Sequence, residues 1–363
     1  MTSELPNPDL RARIEALVRD ALHRSVESIE PIASGLGSRR FFRVRLGAGE
    51  PSSVVARVDA PEDPALRPAG VPPEPPLEPI RALLERAGLP VFACHASAPG
   101  LMLLEDVGSL SLEAAAATLP AEEVHGLYTD ACSLVPRLQR IRPAAGVAAF
   151  SRRLDDSLFA YKAEQVVEWV LPWGAARSSA AAAAEVVRDA FRWIAREAAR
   201  APQRLAHRDF KAANIHLRQR GGGGARLVLI DLQGAFLAPP EYDLVCLLRD
   251  SHVELDEAFV QAELARIRPE LPDAPDPASF ARRFALMTLS RNGKDLARYL
   301  YAARTRGDGR YLRLLPRAVA TLQRAASEAA AWDPVLGRLA DLLLSLEAPP
   351  SPPSQSAEPT CAR

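Results

Sequence analysis

The chain has 363 residues with 45 Lys+Arg and 45 Asp+Glu, and this zero net charge gives no electrostatic reason to expect a nucleic-acid partner. No apolar run is long enough to cross a bilayer, and the first residues, MTSELPNPDLRAR, lack the basic-then-apolar order of a signal peptide. We therefore expect a cytoplasmic protein that contacts neither nucleic acid nor membrane, and the length suggests two lobes.

The first part of the chain has the pattern of a small antiparallel sheet. Asn7-Pro8 predicts the start of a helix, and residues 28–58 predict three short strands separated by GLGS and GAGEP. Residues 77–87 predict a second helix, after which PVFACHA and LMLLEDV predict two further strands. We assign residues 1–107 to an N-terminal lobe.

Long helices dominate the rest of the chain. Helical spacing and strong helix formers occupy residues 112–119, 121–141, 155–170, 179–200 and, near the end, 332–346. Together with the first lobe this predicts an α+β fold, with residues 108–348 as a larger helical lobe. Residues 349–363 are rich in proline and serine and are predicted to be disordered.

The segment His207–Asn214 reads HRDFKAAN, and LVLIDLQGA follows it after a short hairpin. The order H-x-D-x-x-x-x-N, then an apolar strand ending in aspartate, is the spacing that phosphoryl transfer from ATP requires. Asp209 is predicted to be the catalytic base, Asn214 and Asp231 to bind Mg²⁺, and His207 and Lys211 to support the loop. An Asx-turn for Asp209 and a loop cap for Asp231 are the structural alternatives.

The predicted strands contain a weaker signal for phosphate binding. Gly35, Gly37 and Ser38 in GLGS form either a phosphate-cradling hairpin or an ordinary β-turn. Kinases usually hold the α- and β-phosphates with a third-strand lysine, but the first 161 residues contain none. Arg57 stands at the expected place, and Glu78 is its predicted partner. A solvated strand residue and a helix first-turn acid are the respective alternatives.

These motifs resemble those of the aminoglycoside phosphotransferase/choline kinase superfamily, and within it the bacterial N-acetylmuramate/N-acetylglucosamine kinases of cell-wall recycling. The similar stretches are SRRFFRV, VDAP, LLEDVG, HRDFKAAN, IDLQGAFLAPPEYDLVCLLRD and RNGKDLARY…GDGRYLRLLPR. The resemblance implies a bilobal protein-kinase-like fold, with a nucleotide-binding N-terminal lobe and a catalytic, substrate-binding helical lobe. It implies ATP and Mg²⁺ as cofactors, adenine binding beside Glu105 and an architectural role for Asp243. The chain departs from the family at Leu232, where an aromatic is usual, and at Gly234, where an acid is common.

The resemblance further implies a small-molecule sugar acceptor that is phosphorylated on its anomeric hydroxyl. Gln233, Arg291 and Asn292 are the predicted acceptor-binding residues, with a solvated helix terminus as the alternative for the last two. A kinase of an aminoglycoside or amino alcohol, and a nucleotide-binding pseudokinase, stay open as other functions. A protein kinase is disfavoured, because D-L-Q replaces D-F-G and no A-P-E follows. We expect a monomer.

Overall fold

A computed structural model describes residues 5–32, 39–59, 75–173, 180–220 and 224–347. The chain divides into two compact units. Unit 1 is drawn from Met1–Leu112 and Ala213–Gly234, and unit 2 from Glu113–Ala212 and Ala235–Arg363. The predicted glycine turn at residues 35–38 and the predicted tail at 349–363 lie outside the described residues.

The helices and strands have the following bounds. The strands are β1 (Val26–Ile32), β2 (Arg40–Leu46), β3 (Ser53–Val58), β4 (Cys94–Ala98), β5 (Leu101–Glu105), β6 (Arg204–Ala206), β7 (Ile215–Arg220), β8 (Gly224–Leu229) and β9 (Phe236–Ala238). The helices are α1 (Pro8–Leu22), α2 (Leu77–Arg86), α3 (Leu112–Ala116), α4 (Ala121–Gln139), α5 (Asp156–Gln165), α6 (Ala180–Arg200), α7 (Tyr242–Leu248), α8 (Glu257–Ile267), α9 (Pro277–Thr305), α10 (Leu315–Ala329) and α11 (Pro334–Leu344).

Unit 1 is built on a five-stranded antiparallel sheet in the order β1-β2-β3-β5-β4. Helix α1 begins where predicted, since the Asn7 side chain accepts a hydrogen bond from the Leu10 amide at 2.9 Å. Its buried residues, Leu10, Ile14 and Val18, recur every fourth position and pack with the buried side chains of the sheet. This helix and the sheet therefore share one hydrophobic core.

The β7–β8 hairpin also belongs to unit 1, although it lies far along the chain. The Leu217 amide donates to the Leu110 carbonyl and the Leu229 amide donates to the Pro90 carbonyl, each at 2.8 Å. The sequence-based boundary at residue 107 differs from this division, because backbone hydrogen bonds attach residues 213–234 to the N-terminal part. Such pairing depends on backbone groups and leaves no trace in side-chain patterns.

Unit 2 is mainly helical, as expected for the α+β class. Aspartate side chains cap the starts of α5, α8, α9 and α11, through Asp155, Asp256, Asp276 and Asp333. The 29-residue helix α9 packs against α5, α6, α7 and α10 and buries residues on several sides. Within the residues that the structure describes, no helix combines the length and the apolar character needed to cross a membrane.

Gly293 lies in the middle of α9 where the helix passes a π-helical turn formed by Val166–Val170. A Cβ atom at this position would lie 3.3 Å from Val166 Cγ2 and 3.6 Å from the Phe191 ring. The close packing of the two elements thus leaves room for a methyl group at most.

We expect Gly293→Leu to lower the free energy of unfolding by about 1–3 kcal/mol, because the added side chain overpacks this contact. Gly293→Ala is the matched control: a gain of about 1 kcal/mol in helix propensity offsets the tight contact, so its stability should stay near that of the wild type. Urea unfolding at neutral pH measures both. A leucine variant as stable as the wild type would contradict the close packing.

Candidate active site

The HRD segment of unit 2 is held in an uncommon backbone conformation. Arg208 has φ of 80°, a left-handed value that costs free energy for a residue with a Cβ atom. The buried Asp243 carboxylate accepts hydrogen bonds from the amides of His207 at 2.7 Å and Arg208 at 3.1 Å. Burial raises the pKa of Asp243, and the charge of His207 and these two amides oppose that effect. Asp243 therefore fixes the turn that presents Asp209.

Asp209 is surrounded by cationic groups. Arg291 Nη2 lies 2.6 Å from one carboxylate oxygen, and Lys211 Nζ lies 3.2 Å from the other. Burial alone would raise the pKa of Asp209, but the charges of Arg291, Lys211 and Lys294 outweigh it and hold the pKa far below its usual range. Asp209 is therefore an anion at any physiological pH. Lys211, for which a loop-supporting role was predicted, thus contacts a residue of the same loop.

A second carboxylate holds the other side of Arg291. Asp295 lies one turn further along α9 and contacts Arg291 Nε at 2.8 Å and Lys294 Nζ at 2.5 Å. Burial opposes ionisation, yet the charges of Arg291 and Lys294 lower the pKa of Asp295 to about 2. The guanidinium of Arg291 is thus clamped between Asp209 and Asp295, and its exposed fraction is only 8%.

Arg291 and Asn292, the residues of α9 that were predicted to bind the acceptor, contact other groups of the protein. Arg291 binds two carboxylates of the protein itself, and Asn292 is buried and donates to the Arg249 carbonyl at 2.7 Å. Both side chains are engaged inside unit 2, because α9 is packed on several sides and does not present a free terminus at these positions. We therefore assign Arg291 to positioning Asp209 and Asn292 to packing.

The three lysines of the chain all lie around this network, a feature that motif matching did not reveal. Lys162 is buried, donates to the Ser290 hydroxyl at 3.1 Å and lies over the rings of Phe159 and Tyr242. Burial lowers its pKa to about 7, and the charges of Lys294 and Arg291 add to the effect. The rarity of lysine in an arginine-rich chain was the sequence signal that could have located the cluster.

Unit 1 holds the predicted metal ligands. The Ile230 amide donates to the main-chain carbonyl of Asn214 at 3.0 Å. Asn214 and Asp231, the residue after Ile230, therefore lie near each other at the open end of the β7–β8 hairpin. Asp231 follows with φ of 61° and a side chain that is 42% exposed. Gln233 Nε2 donates to Asp231 Oδ1, and Arg39 Nη1 lies 3.8 Å from the same oxygen.

The oxygen donors of Asn214 and Asp231 fit a hard divalent cation such as Mg²⁺, which takes one or two protein ligands and completes its shell with phosphate and water. Asp231 stays accessible in a strained conformation, a combination common at functional positions. Among the described residues, no three or more His, Cys, Asp or Glu side chains are arranged to hold a metal. A magnesium site of one aspartate and one asparagine does not need such a group.

The predicted pair between Arg57 and Glu78 is replaced by two local pairs. Arg57 contacts Asp59 at 2.8 Å, and Glu78 contacts Arg81 at 2.7 Å. Residues two apart on a strand share a face, and residues three apart on a helix are neighbours, so each charge finds a partner within its own segment. Arg39 also lies 3.8 Å from Asp59.

Glu105 forms contacts within unit 1 at the end of β5. Its carboxylate pairs with Arg218 of β7 at 2.5 Å and accepts from the Ala93 amide at 3.0 Å. Its own amide donates to the Ala93 carbonyl at 2.8 Å. Glu105 therefore connects β5, the segment before β4 and the hairpin that carries Asn214.

The chain is similar in sequence to known phosphotransferases and sugar kinases. A sequence model of the phosphotransferase enzyme family matches residues 28–281. The N-acetylmuramate/N-acetylglucosamine kinase of Pseudomonas putida is 26% identical over 331 residues, covering 88% of this chain and 89% of that protein. The enzyme of the same name from Neisseria meningitidis is 31% identical over 149 residues, covering 39% of this chain.

Solved structures show the same fold. A choline kinase from Streptococcus pneumoniae superimposes with a TM-score of 0.58 at 15% identity and covers 89% of this chain and 99% of its own. An ADP-bound aminoglycoside phosphotransferase superimposes with a TM-score of 0.52 at 15% identity, covering 88% and 97%. The expected α+β, protein-kinase-like fold class is thereby confirmed.

The buried amine of Lys162 makes stability depend on pH in a defined direction. Its pKa falls from 10.5 to about 7 on folding, so the unfolded chain binds more protons between these values. Below about pH 7 the lysine is charged in both states, and the burial of its charge destabilises the folded protein to the full extent. This destabilisation disappears as the pH rises toward 10.5, because the folded protein then holds the neutral amine. We expect Lys162→Met to be more stable than the wild type near pH 7, with the difference shrinking by up to about 1.4 kcal/mol per pH unit above it.

Urea unfolding of both proteins at several pH values from about 7 to 9.5 measures this difference. Arg196→Met, on an exposed position of α6, is the control and should show no such trend. A stability difference between Lys162→Met and the wild type that does not change with pH would mean that Lys162 has the same charge in the folded and the unfolded protein over this pH range.

Proposed function

Because the chain belongs to the phosphotransferase enzyme family, we propose that it is an ATP- and Mg²⁺-dependent kinase that phosphorylates the anomeric hydroxyl of N-acetylmuramate or N-acetylglucosamine, in cell-wall recycling. The observation that carries the proposal is Asp209, an ionised carboxylate on a turn fixed by Asp243. The similarity to kinases of these sugars along most of the chain supports the acceptor class.

Asp209 acts on the acceptor hydroxyl. Its carboxylate accepts a hydrogen bond from that hydroxyl, orients its oxygen and takes up the proton as the bond to phosphorus forms. The low pKa makes Asp209 a weak base, so its contribution is mainly orientation. Arg291 and Lys211 restrict the rotation of the carboxylate by binding both of its oxygens.

Asn214 and Asp231 are the residues that would hold the magnesium ion, through one amide oxygen and one carboxylate. When bound, the ion neutralises charge on the nucleotide phosphates. Gln233 donates a hydrogen bond to Asp231 and fixes the orientation of that carboxylate. We therefore assign Gln233 to holding the metal ligand and not to binding the acceptor.

A cation for the nucleotide phosphates comes from arginine in this chain. Arg39 approaches both Asp59 and Asp231, whereas Arg57 is more deeply buried and pairs with Asp59. We therefore favour Arg39 over Arg57 for phosphate contact, with Arg57 holding Asp59. An arginine fork binds phosphate oxygens in pairs, unlike the single ammonium of lysine.

The charges around Asp209 argue against the aminoglycoside alternative. Arg291, Lys211 and Lys294 already neutralise this carboxylate, so it offers little attraction to a polycationic acceptor. A neutral or anionic sugar needs no such attraction. This electrostatic difference favours an amino sugar whose nitrogen is acetylated and therefore uncharged.

The metal and base roles can be separated with one pair of isosteric variants. We expect Asp231→Asn to weaken Mg-ATP binding by roughly 10- to 100-fold, because the ion loses a charged ligand. Asp209→Asn should keep wild-type Mg-ATP affinity and lose turnover by about 10²–10⁴-fold. Titration calorimetry and a coupled ADP assay measure the two effects. Unchanged Mg-ATP affinity in Asp231→Asn would reject its metal role.

The position of phosphorylation is tested through the product. A phosphate on the anomeric carbon is lost in mild acid, whereas a phosphate on C6 survives, so we expect acid-labile label after transfer from ATP to N-acetylmuramate or N-acetylglucosamine. The methyl glycoside of N-acetylglucosamine lacks a free anomeric hydroxyl and should not be phosphorylated. An acid-stable product, or a phosphorylated methyl glycoside, would overturn the anomeric assignment and leave the kinase activity standing.

A further inference from the structure

Asp250 Oδ2 and the Tyr128 hydroxyl are among the buried polar atoms of unit 2 that have no hydrogen-bond partner within the residues that the structure describes. The other oxygen of Asp250 accepts from His252 Nδ1 at 2.8 Å and from the His252 amide at 3.1 Å. The Asp250 side chain is only 5% exposed. A carboxylate oxygen withdrawn from water is destabilising until a donor reaches it.

Asp250 lies within electrostatic reach of the catalytic turn. Burial lowers the pKa of Lys211, but the charge of Asp209, and to a smaller extent that of Asp250, raises it above the ordinary value. Lys211 itself contacts Asp209 at 3.2 Å. Asp250 and the proposed base therefore act on the same ammonium group, and both belong to unit 2.

Aromatic rings adjoin Asp250. The Tyr299 ring meets His252 edge to face at 5.8 Å and stacks on Tyr311 at 5.5 Å. Tyr299 is buried, while His252 and Tyr311 are partly exposed. Burial raises the pKa of Tyr128 strongly, and the charge of Asp250 adds to this effect, so the unpartnered Tyr128 hydroxyl lies within electrostatic reach of Asp250.

A carboxylate beside aromatic rings suits a hydroxylated ring. Sugar hydroxyls donate strong hydrogen bonds to an ionised carboxylate, and the apolar C–H faces of a pyranose pack on aromatic side chains. A cationic ligand would also meet the carboxylate, but it would face the positive charges of Lys211 and its neighbours as well. The combination therefore favours a neutral sugar ring over an amine.

We propose that Asp250, with the rings of His252, Tyr299 and Tyr311, forms the subsite that holds the sugar ring of the acceptor. Asp250 Oδ2 accepts a hydrogen bond from a ring hydroxyl other than the one that is phosphorylated, and the aromatic side chains cover one face of the ring. This inference rests on the kinase function proposed above, and it moves acceptor recognition away from Arg291 and Asn292, whose side chains are engaged within the protein.

The test uses Asp250→Asn, which keeps the size of the side chain, and Asp341→Asn, a surface change on α11, as the matched control. We expect Asp250→Asn to raise the KM for N-acetylglucosamine by about 10- to 100-fold, the effect of losing a hydrogen bond to a charged group. Its KM for ATP and its melting temperature should match those of the control.

Monodeoxy analogues of N-acetylglucosamine, lacking the hydroxyl at C3, C4 or C6, identify the donor. For the wild type, one analogue should show the same 10- to 100-fold rise in KM, and Asp250→Asn should not distinguish that analogue from the parent sugar. Where Asp250→Asn does not fold, Tyr311→Leu at the partly exposed edge serves in its place and should raise the KM of the sugar alone.

Equal KM values for the sugar in the wild type and Asp250→Asn would overturn the subsite while the kinase function stands. A variant that loses stability and ATP affinity together would also overturn it. Asp250 would then have a structural role, with a buried water molecule as the hydrogen-bond partner of Oδ2. Absence of any sugar phosphorylation by the wild type would instead overturn the proposed function, and the subsite with it.

Discussion

Arg291 of α9 is held between two carboxylates, Asp209 on one side and Asp295 on the other, and the organisation of unit 2 around the turn that carries Asp209 depends on this arrangement. Removing one member of a buried ion pair leaves an uncompensated charge, so the three residues depend on one another. The network keeps Asp209 ionised, and it also explains why a guanidinium so close to the proposed base is not available to bind a substrate carboxylate.

Strained backbone recurs at the proposed functional residues. Arg208, which directly precedes the proposed base Asp209, and Asp231, a proposed metal ligand, both have positive φ, one in each unit. Conformations of this kind cost on the order of 1–3 kcal/mol and persist only where neighbours enforce them. Asp243 does so for Arg208 through two amide hydrogen bonds, while Gln233 holds the side chain of Asp231.

The presence of lysine rather than arginine at positions 162 and 294 has a physical basis. An arginine stays protonated even when buried, whereas an amine can lose its proton or adapt its pKa to its surroundings. Lys162 and Lys294 lie in a crowded, cationic part of unit 2, where burial and mutual repulsion lower the pKa of each. A permanently charged guanidinium at these positions would add a repulsion that the amine can avoid.

Sequence alone determined the features that depend on local rules. The Asn7 cap, the alternating strands, the aspartate caps of the helical unit and the spacing of HRDFKAAN follow from the geometry of a few consecutive residues. The pairs of Arg57 with Asp59 and of Glu78 with Arg81 obey the same local spacing rules for strands and helices.

Tertiary structure alone decided which distant groups meet. Arg291 reaches Asp209 across 82 residues of sequence, and backbone hydrogen bonds to Pro90 and Leu110 attach the β7–β8 hairpin to the N-terminal part of the chain. The charge of a side chain does not specify its partner, because several opposite charges lie at comparable sequence separations. Only the packing of α9 against the turn that carries Asp209 selects one of them, and Arg291, for which acceptor binding was predicted, pairs with Asp209.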